Sequence, residues 1–315
     1  MKMKEGLRGS VISVNVSPRK GEPKEPAGSI VIGELGVVGD CHAGPGARQV
    51  SLLGEESIRR FGEETGRKVP PGGFAENITT RGLDLGRAAP LDSIEVGGAL
   101  LEVSRIGKEC HGADCAVFRE VGRCVMPSEG VFCRVVRGGP VRPGDCAALV
   151  ERPLSIRVIT LSDRASRGEY EDRSGPLVES LIREALAGRR WHLAVERSVL
   201  GDDAAALRSM LAGFRDSGVD AVFTTGGTGV GPRDVTVEVV TQLADKLLPG
   251  IMEYIRCKCG AENPRALLSR SVAAVMGSTL VYAVPGSPAA VGDYVPEIMR
   301  TFEHLVCMIH GVDVH

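Results

Sequence analysis

Thr224-Thr225-Gly226-Gly227-Thr228-Gly229-Val230-Gly231-Pro232-Arg233-Asp234 joins an apolar run to a helical pattern through four glycines. The run, Val219 to Phe223, has the β-branched and aromatic residues that suit a buried parallel strand. The glycines permit backbone conformations and close approaches that side chains would block. Pro232 pre-sets a first helical turn, and Val235–Leu243 is expected as the helix. Strand, glycine turn and helix start together aim successive N–H groups at one anion. A tight turn with no ligand is the plainer alternative. Asp234 adds a carboxylate at the lip of this cradle. A carboxylate there is unfavourable unless it holds a cation or accepts a proton, so the pattern points to metal-assisted phosphate chemistry.

The surrounding half repeats the scheme. Ser155–Leu161 reads as a buried strand ending in Ser162-Asp163-Arg164, and a helix starts at Ser174-Gly175-Pro176. His192–Val199 reads as a strand, and Gly201-Asp202-Asp203 caps a helix over Ala204–Arg215. Val281–Val284 ends in Pro285-Gly286-Ser287-Pro288, a second turn offering N–H groups to an anion, with a helix over Val295–Ile309. Strands alternating with helices at this spacing imply a doubly wound α/β sheet with ligands at the carboxyl ends of its strands. Two cradles and two carboxylates suit a phosphate and a polyphosphate with Mg²⁺ between them. Locally, Asp202 and Asp163 also read as ordinary caps. Cys257 and Cys259 fall two apart on an expected helix and do not face each other.

The first half reads differently. Gly9–Val16, Ser29–Leu35, Arg48–Leu53 and Phe74–Thr79 are expected strands, Leu91–Ile106 a hairpin, and Glu55–Thr65 a helix. Ser17–Pro26 is a polar loop. Short strands broken by frequent turns imply a β-rich barrel. Cys110, Cys115, Cys124 and Cys133 have spacings that match no standard metal or iron–sulfur pattern. Cys133 and Cys146 sit in apolar alternation and are expected as core thiols. Cys110 stands beside Lys108 and His111, which favour the thiolate. Glu151-Arg152-Pro153 is a polar, proline-marked joint, giving domains 1–150 and 151–315.

Gly39-Asp40-Cys41-His42-Ala43-Gly44, Arg48-Gln49-Val50-Ser51-Leu52, Gly73-Phe74-Ala75-Glu76-Asn77 and Lys108-Glu109-Cys110 resemble the MOSC domain. The resemblance implies a barrel-like fold and a pocket for sulfur or the molybdenum cofactor. It implies that Cys110 contacts the sulfur or metal, with His42, Arg48, Glu76 and Asn77 lining the pocket. Glu109 departs from the family's proline before the cysteine. The second half resembles the molybdopterin adenylyltransferases of the MogA/MoaB type, through Ile159–Ser166, Thr225–Gly229, Arg233–Thr236 and Pro285–Pro288. That resemblance implies ATP and molybdopterin as substrates, Mg²⁺ as cofactor and a homotrimer working with other molybdenum cofactor biosynthesis proteins. It makes Asp202 and Asp234 the catalytic, metal-holding pair, with Asp203 able to share the first role. Ser162, Asp163, Thr225, Gly226, Gly227, Thr228, Gly229, Pro285, Gly286, Ser287 and Pro288 become the binding residues. The rival reading is a carrier that binds the cofactor without turning it over.

Composition sets the bounds. The chain has 315 residues, 43% of them apolar and 25% charged, as expected for two globular domains. A net charge of −2 with no basic block argues against nucleic acid. No apolar stretch approaches the roughly 20 residues that span a bilayer. The charged start lacks a signal-peptide core, and nine cysteines read as thiols, so a cytoplasmic location is expected.

Overall fold

The computed structural model describes residues 6–20, 22–108 and 123–312. The chain divides into two compact units that meet in sequence at Arg152 and Pro153.

The first unit is built from β1 (Arg8–Val16), β2 (Glu25–Ala27), β3 (Ile30–Gly33), β4 (Gly36–Val37) and β5 (Val50–Gly54), then α1 (Glu55–Thr65). There follow β6 (Ile78–Arg81), β7 (Ser93–Val96), β8 (Ala99–Ile106), α2 (Met126–Glu129), β9 (Val131–Arg137), β10 (Gly139–Val141) and β11 (Cys146–Val150). The sheet runs β11-β7-β8-β9-β5-β6-β1, and β11 pairs back onto β1, so seven strands close a barrel. Closure removes the open edges that an antiparallel sheet would otherwise expose. Alternate residues fill the interior, among them Val11, Leu52, Ile78, Ile94, Leu101, Val103, Val131 and Leu149. The same alternation corrects one expectation. Ala147 and Leu149 of β11 point inward, which turns Cys146 out to solvent, while Cys133 is buried as expected. Phe74–Asn77 is a turn rather than the start of a strand, and pairing begins at Ile78.

The second unit opens with β12 (Pro153–Leu161), then α3 (Asp163–Ser166), α4 (Ser174–Ala185), β13 (His192–Leu200), α5 (Ala204–Asp216), β14 (Ala221–Thr225) and α6 (Thr236–Leu243). It closes with β15 (Lys246–Leu247), α7 (Pro249–Glu262), β16 (Val272–Met276), β17 (Thr279–Val284) and α8 (Pro288–Ile309). The sheet order is β13-β12-β14-β17-β16-β15. The first four strands are parallel, and β16 and β15 add an antiparallel edge, so the doubly wound sheet is mixed. One core packs Leu161, Leu207, Leu211, Val222, Val239 and Val281. Another stacks Phe223 on Tyr282 at 4.9 Å between ring centres, with Phe302 of α8 beside them.

Two helix starts differ from expectation. α6 begins at Thr236, because residues 230–233 form a separate turn held by Asp234, whose Oδ2 accepts the N–H of Gly231 at 2.8 Å. α8 begins at Pro288, well before Val295. Pro288 fits the first turn. Pro296 inside the helix removes the bond to the Gly292 carbonyl, but both residues are exposed and water can take its place.

Candidate functional site

The carboxyl ends of β12, β13, β14 and β17 lie side by side, and each carries one of the polar motifs. The Gly226–Gly227 turn leaves β14 with φ of +108° and +64°, a region that favours glycine. A Cβ on Gly226 would stand 2.4 Å from the Leu161 carbonyl, and one on Gly227 would stand 2.3 Å from Thr236 Oγ1. The turn is stitched on both sides. Gly226 N–H donates to the Val284 carbonyl at 3.1 Å, and Thr225 Oγ1 donates to the Pro285 carbonyl at 2.9 Å. Thr236 Oγ1 donates to the Gly226 carbonyl at 2.9 Å. On the far flank, Ser174 Oγ donates to the Gly286 carbonyl at 2.6 Å. The two glycine turns are therefore one surface, and Thr225, fully buried, is a tie between them rather than a group facing out.

The acidic residues divide their tasks. Asp203 caps α5, accepting the N–H groups of Ala205 at 2.8 Å and Ala206 at 3.1 Å. Asp202 is thus released from capping. It pairs with Asp163 reciprocally: its N–H donates to Asp163 Oδ1 at 3.0 Å, and its Oδ2 accepts the Asp163 N–H at 3.4 Å. Asp163 Oδ2 takes a close ion pair from Arg233. Ser162 caps α3 and Ser287 caps α8. Arg270 braces the glycine loop from behind, donating to the Gly229 carbonyl at 2.7 Å and the Asp234 carbonyl at 3.3 Å while pairing with Glu238. A cavity of about 370 Å³ opens beside that brace, lined by Val237, Met252, Arg256, Ser269, Arg270 and Ser271. Arg233 and Arg270 had no part in the expected site. Arg233 stands in a segment that carries the family resemblance, though its neighbours do not show where its side chain reaches, and nothing local in the sequence distinguishes Arg270 from a surface arginine.

In the barrel the polar centre is Asp40, whose side chain is 1% exposed. Its Oδ2 accepts the Ser17 N–H at 3.1 Å and Asn77 Nδ2 at 3.2 Å, and it pairs closely with Lys24 Nζ. Its Oδ1 accepts the His42 N–H at 3.0 Å and lies 3.3 Å from His42 Nδ1. Burial works to raise the Asp40 pKa, but hydrogen bonds from His42 and Lys24 outweigh it and hold the carboxyl well below its usual range. Asp40, Cys41 and His42 offer three ligand atoms within 4.8 Å of one another. The Lys24 ammonium, also 3.3 Å from His42 Nδ1, is the cation of this cluster. Glu76 is buried nearby and accepts the Gly72 N–H at 2.6 Å, the Phe74 N–H at 3.1 Å and Thr79 Oγ1 at 2.9 Å. Burial raises its pKa against those bonds. His42 and Asn77 are thus brought together, whereas Arg48 is exposed and makes no hydrogen bond to the cluster among the described residues. Lys24 falls in the stretch Ser17–Pro26, expected as a polar loop. Cys110 lies outside the described residues.

Comparison with known proteins follows the same division. Residues 157–304 match the family model described as "Probable molybdopterin binding domain", and residues 38–147 match the MOSC domain. Molybdenum cofactor biosynthesis protein B of Bacillus subtilis is 41% identical over 140 residues, covering 44% of this chain and 79% of that protein. Molybdopterin adenylyltransferase of Helicobacter pylori is 31% identical over 159 residues, 50% of this chain and 89% of that protein. A solved molybdopterin biosynthesis protein from Mycobacterium abscessus is 36% identical, with a TM-score of 0.46, and is matched over 51% of this chain and 100% of its own. Among the described residues no helix is long and apolar enough to cross a membrane. The chain belongs to the molybdopterin-binding family of molybdenum cofactor biosynthesis protein B and the molybdopterin adenylyltransferases, here joined to an N-terminal MOSC domain.

Proposed function

We propose that the second unit adenylylates molybdopterin, using ATP and releasing pyrophosphate. The single observation that carries this is the joined surface of the Gly226–Gly227 and Pro285–Gly286 turns, set beside Asp202, Asp163 and Asp234. An oxygen of the molybdopterin phosphate attacks the α-phosphorus of ATP. The bond from that phosphorus to the bridging oxygen breaks, and its electron pair leaves with pyrophosphate. The glycine turns hold the attacking phosphate, and catalysis is positioning together with charge neutralisation. Asp202 and Asp234 are the residues that would hold Mg²⁺. Each spends Oδ2 on a backbone N–H, leaving Oδ1 for a cation. Two hard carboxylate oxygens, completed by water and substrate phosphates, suit that ion. Bound there, it would offset the charge of the polyphosphate.

The MOSC unit, in this reading, holds a related pterin or its sulfur and metal, with His42 and Asn77 at the pocket and Cys110 as the soft ligand. A homotrimer acting with other cofactor biosynthesis proteins in the cytoplasm completes the proposal. The test is product formation with molybdopterin and Mg-ATP. One pyrophosphate should appear for each adenylylated pterin. Tight pterin binding without pyrophosphate would instead mark a carrier.

A further inference from the structure

The adenylyl-transfer reading leaves a charge problem. Asp163, Asp202 and Asp234 crowd the crevice into which a polyphosphate must come, and Asp172 caps the next helix beside it through the N–H groups of Ser174 and Gly175. The arginines nearby are mostly committed. Arg270 is fixed on two backbone carbonyls and Glu238, and Arg164 stacks over Tyr170 at 5.4 Å. Arg233 differs. Its side chain is 67% exposed, it sits on the glycine loop next to Asp234, and among the described residues its one ion pair is with Asp163. An exposed pair of this kind contributes little and is readily exchanged. A guanidinium also matches phosphate oxygens through two parallel donors.

We propose that Arg233 is a polyphosphate-binding residue that exchanges Asp163 for the pyrophosphoryl group of ATP. Asp163 holds the guanidinium over the crevice until substrate arrives. The exchange places positive charge on the pyrophosphoryl group as ATP binds, and it frees the Asp163 carboxylate. Asp163 stays in place through its second oxygen, which keeps the Asp202 N–H. The inference rests on the proposed adenylyl transfer, but it makes a prediction that needs neither pterin nor metal.

The experiment is calorimetric titration of the full chain with inorganic pyrophosphate in the presence of a metal chelator. Wild type should bind. Arg233→Ala should weaken binding about ten-fold or more, the worth of a charge-assisted contact. Asp163→Asn should tighten it by up to about five-fold, because no ion pair need be broken. The double variant should behave as Arg233→Ala. Trp191 fluorescence checks that the second unit is folded, since that residue belongs to it. In turnover, Arg233→Ala should raise KM for ATP more than it lowers kcat, with partial rescue by Arg233→Lys. No binding by wild type, unchanged binding by Arg233→Ala, or weaker binding by Asp163→Asn would each overturn the proposal. Product formation with an Arg233-independent KM would overturn it and leave the transferase reading standing. Arg233-dependent pyrophosphate binding without any product would do the reverse.

Discussion

Lys24→Met tests the electrostatic centre of the barrel. In the native protein Lys24 and Asp40 are both 1% exposed at the side chain, and the ammonium is the charge that offsets the carboxylate. Removing one partner of such a buried pair costs about 3–5 kcal/mol, chiefly because the other charge is stranded. Asp40 would keep three neutral donors, Ser17 N–H, His42 N–H and Asn77 Nδ2, which places the cost at the low end, about 3 kcal/mol. That corresponds to roughly 10 °C in the melting temperature of a unit this size. The Trp and all four Tyr residues lie in the second unit, so intrinsic fluorescence is blind to the change. Hydrogen exchange of the β1 and β6 amides reads it directly, and protection should fall about 150-fold. Lys24→Met with Asp40→Asn removes the stranded charge and should recover most of the loss. If Lys24→Met left protection within about three-fold of wild type, the pair would not be a buried, mutually dependent one. If the double variant were as unstable as the single one, packing of the lysine stem would be the cause.

Three shorter predictions concern other groups. Gly226→Ala puts a Cβ 2.4 Å from the Leu161 carbonyl at φ +108°, so about 1–3 kcal/mol of strain should displace the loop and cut turnover sharply, as steady-state assay would show. Asp203→Ala should cost about 1 kcal/mol by urea unfolding through the lost cap while turnover stays within about two-fold, whereas Asp202→Ala should abolish turnover. The Asp40 carboxyl has a depressed pKa when folded, so its contribution is present above the unfolded value of about 3.9 and is lost as pH falls through the folded value. Glu76, whose pKa is raised, acts in the opposite sense. Asp40→Asn should therefore flatten the acid side of the barrel's stability profile, measured by exchange against pH.

What could be read from the chain alone was what is local. The β-branched runs of β12 and β14, the glycines after Thr225 and the Pro285–Pro288 turn each announce their structure within a few residues. The pairing of Asp163 with Asp202 and the reach of Arg233 back to Asp163 are products of the parallel sheet and have no trace in local sequence. Lys24 was hidden for a similar reason. Its neighbours are polar, and what holds it inside is distant in sequence: the Asp40 carboxylate at its ammonium and the Gly72 carbonyl, which accepts its N–H at 2.9 Å. Cys146 failed because apolar alternation fixes a period of two but not which phase faces inward.

The most direct test of the central claim is transfer of label from α-labelled ATP to molybdopterin by wild type and by Asp234→Asn. The asparagine can still accept the Gly231 N–H, so the turn is kept and only the charge is removed. Wild type should give labelled pterin and equimolar pyrophosphate, and the variant should lose roughly 100-fold or more. Labelled product formed equally well by Asp234→Asn, or no product from a wild-type protein that binds both substrates, would contradict that claim.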